Sequence, residues 1–183
     1  MFSKRITLGV LVFACVLALG ACSSSQDGTD QQSSPAKALT ADQVNVRLAL
    51  KGEPALTTDG QNIAVTVSLK NDGSTTLSSA GKMPVNLGAH SVDGRGQMIN
   101  QDLARASLPN IAPGTSASVT ILLPVAGTLN HSAQILPVQE GVAWFDKWGT
   151  KPVTVGPFKS CSNVADGKVC DADGKPLAAA PAH

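Results

Sequence analysis

From Val44 onward, apolar and polar residues alternate with a period of two. In "VNVRLAL", Val44, Val46, Leu48 and Leu50 share one side, with Asn45 and Arg47 opposite. "NIAVTVSLKN" repeats the pattern with Ile63, Val65, Val67 and Leu69 inward, and stops at the turn signal "NDGS". "PVNLGAHSVD" follows, closed by "DGRG". "SASVTILLPV" alternates through Ala117, Val119, Ile121 and Leu123 after the turn "APG". "SAQILPVQEGVAWF" and "KPVTVGPF" complete the series. Side chains two apart line one face of a strand. Short runs of this kind, separated by Gly, Pro and Asp, predict an all-β sandwich. No stretch of the body has helical period. Brief helical turns are expected at "TADQV", with Thr40 as cap, and around "QDLAR". The number and order of strands predict an immunoglobulin-like sandwich over residues 40–158.

The N-terminus has a different character. Lys4 and Arg5 precede the apolar run Ile6 to Leu19, which is short for a membrane span. The run ends in "LGAC", similar to a bacterial lipobox, which implies cleavage after residue 21 and acylation of Cys22. An ordinary signal peptide cut near Ala21 is the alternative. A diacylglycerol plus an acyl chain exceeds what stable anchoring requires. The chain would then sit on a membrane rather than in it. Ser23 and Ser24 follow, a pattern that in lipoproteins of this kind implies the periplasmic face of the outer membrane. Residues 22–39 read as a lipidated cysteine and a flexible tether. "SSSQDGTDQQSSPAK" is polar and cannot bury enough apolar surface to offset the entropy of ordering it.

Charge excludes one class of partner. Fourteen Lys and Arg fall to 12 once Lys4 and Arg5 leave, against 13 Asp and Glu. No basic run stands out, so nucleic acid is not an expected partner. Of four cysteines, Cys15 leaves with the signal and Cys22 takes lipid. Cys161 and Cys170, in "CSNVADGKVC", remain. In an exported chain such a pair reads as a disulfide, with two free thiols as the rival reading. Residues 159–183 are therefore expected to form a disulfide-clipped hairpin and a weakly structured tail.

The residues "VSLKNDGSTTL", "PVNLGAHSVDGRG", "RASLPNIAPGTSASVTILLP" and "ILPVQEGVAWFDKWG" carry a resemblance. Over roughly Val65 to Gly149 the chain resembles the immunoglobulin-like accessory modules of bacterial cell-envelope glycosyltransferases and related polysaccharide proteins. "QEGVAWF" is the most specific part. The resemblance implies a non-catalytic module in envelope biogenesis. The chain departs from the pattern at Leu87 to Ser91 and in "GTLNHSAQIL", where aromatic residues are usual.

Every aromatic residue beyond Phe13 lies between Trp144 and Phe158, and the chain has no Tyr. An extended "VAWFDKW" would send Trp144 and Phe145 to opposite faces, with Trp148 sharing Trp144's parity. One reading makes Trp144 the central core residue, with Trp148 capping the sheet end. The other makes Gln139, Glu140, Trp144, Lys147 and Trp148 a ligand or partner surface. A partly buried Glu140 needs a cationic partner, for which Arg105 and Arg95 are the candidates. His90, His131 and His183 stand apart from any metal-ligand spacing, and no G-x-S-x-G elbow occurs. No cofactor or catalytic residue is assigned. The expected function is that of a non-catalytic, lipid-anchored binding or assembly module, its partner an envelope protein or polysaccharide. Direct carbohydrate binding by the 139–148 segment is the alternative.

Overall fold

The computed structural model describes residues 35, 37–162 and 168–180. The expected signal segment, Cys22 and most of the expected tether lie outside the described residues. In chain order the strands are β1 (Val46–Leu50), β2 (Ala55–Leu56), β3 (Asn62–Asn71), β4 (Val85–Val92), β5 (Met98–Ser107) and β6 (Ser116–Pro124). A one-turn helix α1 (Val125–Thr128) follows, then β7 (Ser132–Gln139) and β8 (Ala143–Trp144). A 3-10 turn (Phe145–Trp148) leads to β9 (Val153–Val155), β10 (Lys159–Ser160), β11 (Val169–Cys170) and β12 (Ala178–Ala179).

The strands form an immunoglobulin-like sandwich. One sheet holds β3 between β6 on one side and β1 and β2 on the other. The second runs β5, β4, β7, with β8 and β9 pairing successive parts of β7. The third long strand, β5, pairs with β4, whereas the constant-type arrangement places its counterpart in the opposite sheet. The inward residues are those the alternation predicts on β3 and β6. Ile63, Val65, Val67, Leu69, Ile121 and Leu123 are fully buried, facing Val85, Leu87, Ala89 and Ile135 of the second sheet. Each such Val, Ile or Leu side chain contributes about 1.5–3 kcal/mol of burial.

"NDGS" works through Asn71 and Gly73. The buried Asn71 carboxamide donates to Thr75 O and Ile111 O and accepts from Gly73 N–H. A Cβ on Gly73 would lie 2.3 Å from Gln43 O, so only glycine lets the N-terminal segment pass.

"TADQV" makes the brief turn expected of it, with Gln43 N–H to Thr40 O and Val44 N–H to Ala41 O. Three expectations need correction. "QDLAR" belongs to strand β5, whose apolar Met98 and Ile99 are exposed, so no alternation marks it. Leu50 is 42 % exposed at the end of β1. It lines an open cleft with Pro54, Val155, Phe158 and Leu177. The C-terminal segment is more than a loose tail. After the β10–β11 hairpin, clipped by the Cys161–Cys170 disulfide, Ala178–Ala179 pairs in parallel with β2.

The core's aromatic centre also differs from the expectation. Phe145 and Phe158 are the largest fully buried side chains, while Trp144 is partly exposed and lies outside the core cluster. The extended backbone ends at Trp144, and the 3-10 turn that follows swings Phe145 inward. Parity arguments stop there. Trp148 packs against the core edge-on to Phe145, with ring centroids 5.2 Å apart.

Candidate functional site

The outward positions of the second sheet fall into rows. Arg105, Gly88 and Leu136 share one, and Asn86, Val138 and Trp144 the next. His90 and Gln134 form a third. Leu136 and Val138 point away from the core yet are buried. Trp144 starts above Val138 and reaches over Gly88, where a Cβ would lie 2.6 Å from the indole Cη2 and Cζ3. The missing side chain is what allows the ring to lie down. His90 meets the indole edge-on at 5.1 Å and hydrogen-bonds Gln134 Oε1 at 2.9 Å.

Arg105 organises the other side. Its guanidinium carbon stands over the indole, 4.6 Å from the centroid. Nε donates to Glu140 Oε1 at 3.0 Å, and Nη1 reaches Asp102 Oδ1 at 2.7 Å and Ala104 O at 3.1 Å. Asn86 Nδ2 donates to the same Glu140 oxygen at 2.8 Å. The cation–π contact is worth about 0.5–2 kcal/mol depending on desolvation. The partly exposed ion pairs add about 1 kcal/mol or less each. Their combined effect is to hold Trp144 and Arg105 in one geometry. Beside them opens a cleft of about 320 Å³, lined by Gln101, Asp102, Glu140, Val142 and Trp144 among others.

The candidates from the sequence separate accordingly. Glu140 and Trp144 meet in this cleft, and Arg105, rather than Arg95, is the partner of Glu140. Gln139 is a correction. It is fully buried, pointing inward at the end of β7, and its carboxamide is spent on Leu39 N–H, Lys37 O and Met83 O. The residue borders the cleft, but its carboxamide is turned away from any external ligand. Lys147 lies on the exposed side of the 3-10 turn, and Trp148 belongs to the core margin. Asn86, Gly88 and Asp102 were not singled out from the sequence, and His90 was weighed there only as a metal ligand. The outward parity of "NLGAH" on a predicted strand was the available signal, since a glycine there leaves room for a large neighbour.

The fold and its outer face thus define an immunoglobulin-like sandwich with one preorganised Trp–Arg cleft. No protein-family model matches the sequence, and no curated protein matches it.

Proposed function

We propose that this chain is a non-catalytic, lipid-anchored binding or assembly module on the periplasmic face of the outer membrane. Its partner is an envelope protein, engaged through the Trp144–Arg105 cleft. One observation carries the choice of a protein over a sugar. Sugar stacking competes for the indole's faces, and Arg105 already stands over one of them, with the ring's outer carbons close to Gly88. A rigid Trp–Arg pair beside a cleft is instead the composition of a protein-interface hot spot. The resemblance of residues 65–149 to envelope accessory modules points to the same class of role.

The test is crosslinking in intact cells from a photoreactive residue at Val142, on the wall of the cleft. A defined protein adduct is expected, and Trp144→Ala should abolish it while the domain stays folded. Recovery of lipid or of the chain itself alone would overturn the reading. A tryptophan fluorescence titration with envelope oligosaccharides should be flat at millimolar ligand; a saturable shift would favour direct carbohydrate binding instead.

A further inference from the structure

Two consecutive residues at the end of β7 face opposite ways and serve different purposes. Gln139 points inward. Its Oε1 accepts from Leu39 N–H at 2.7 Å, and its Nε2 donates to Lys37 O at 3.0 Å and Met83 O at 3.3 Å. One carboxamide therefore reads an N–H and a C=O two residues apart, as the backbone of a neighbouring strand would. The Leu39 side chain is buried in the core beside it. Glu140 points outward, and its Oε1 receives both Asn86 Nδ2 and Arg105 Nε. Arg105 in turn stands over Trp144.

We propose that the Gln139–Glu140 step couples the seating of Lys37–Leu39 to the geometry of the Trp144 cleft. The two states are a seated and an unseated N-terminal segment. When the segment leaves, the Gln139 carboxamide loses two of its three partners inside the protein. A buried amide left with only one partner is unfavourable, so the end of β7 shifts until that group reaches water. Glu140 is the next residue and moves with it. Arg105 then loses one of its two carboxylates and its fixed place over the indole. Linkage makes the effect reciprocal: whatever docks on the seated geometry of the cleft also holds Lys37–Leu39 in place. The role of the cleft as a docking face rests on the function proposed above, but the coupling itself needs no partner. In the lipid-anchored reading, Lys37–Leu39 is the root of the tether, so tension on the anchor would be felt at the cleft.

The experiment uses the full chain with Trp148→Phe, leaving Trp144 as its single indole. Leu39→Gly and Gln139→Leu are compared with this parent, by amide hydrogen exchange at position 39 and acrylamide quenching of Trp144. Exchange at position 39 should rise about ten-fold or more and the quenching constant about two-fold, below the melting transition of each variant. Faster exchange at position 39 with unchanged quenching would overturn the coupling. Unchanged exchange in both variants would overturn it too, because Gln139 and Leu39 would then not be what holds the segment. If Gln139→Leu does not fold, Leu39→Gly decides alone. No partner is present, so failure here leaves the crosslinking result standing, and a negative crosslink leaves the coupling standing.

Discussion

Gly88 lies beneath Trp144 so closely that no other residue fits without moving the indole. An added Cβ would come to 2.6 Å from two ring carbons and 3.1 Å from Arg105 Nη1. Real side chains do not reach such distances, so the ring must lift. Gly88→Ala should destabilise the domain by about 1–3 kcal/mol, the usual range for overpacking. It should also red-shift Trp144 emission in a Trp148→Phe background. Urea unfolding and fluorescence spectra check both. An unchanged midpoint and spectrum would mean that the indole does not rest on β4.

The aromatic cluster predicts an order of truncation costs. Phe145 is fully buried among both sheets, so Phe145→Ala should cost about 3–5 kcal/mol. Trp144 is partly exposed and held mainly by Gly88, His90 and Arg105. Trp144→Ala should cost about 1–2 kcal/mol, within the range of ordinary substitutions. Equilibrium denaturation of the two variants under one set of conditions decides the order. The reverse order would return Trp144 to the core.

The strands were legible wherever one face is buried and the other wet. On β3 the alternation from Ile63 to Leu69 maps residue for residue onto full burial. On β5 it failed because the strand is an edge with exposed Met98 and Ile99, so little of it reports an inside. Alternation did place Trp144 and Phe145 on opposite faces, but it does not say which face is inward, and Phe145 took the core. Only the parity of Trp148 with Trp144 failed, because the 3-10 turn begins after Trp144. Glu140 and Arg105 could be paired from charge alone. Gln139 could not be separated from them, because nothing local distinguishes a surface carboxamide from one that binds a segment 100 residues earlier.

Acid should weaken the body through Asp72. Arg47 hydrogen-bonds its carboxylate and Lys70 adds a second, holding its pKa below an aspartate's ordinary value of 3.8. Between the folded and ordinary values the unfolded chain binds more protons, so stability rises with pH there. The contribution is fully present above the ordinary value and is lost as pH falls through the depressed folded one. Asp42, lowered by Thr40, and Asp59, lowered by Thr57, act in the same direction. Urea midpoints measured from neutral pH downward should fall in this acid window, less steeply in Asp72→Asn. The difference between the two chains should shrink in molar salt, because the Asp72 pairs are exposed. An identical acid slope in Asp72→Asn would remove Asp72 as a source.

The Cys161–Cys170 disulfide should matter locally and little elsewhere. It closes a ring between residues nine apart in sequence, next to the two-residue pairing of β10 with β11. A ring this small contributes about 2–3 kcal/mol on the chain-entropy account. That contribution acts on the C-terminal segment, which is otherwise held by the β12–β2 pairing, by Val169 in the core with Leu177 against it, and by the exposed Lys175–Glu53 pair. The sandwich core does not depend on the ring, because β3, β4, β6 and β7 pair without it. Reducing the disulfide should therefore speed amide exchange at Leu177 and Ala180. The main melting transition should shift by less than about 2 °C, under ~1 kcal/mol for a domain of this size. A large drop in that transition would show that β12 on the β2 edge belongs to the cooperative core, clasped there by the hairpin.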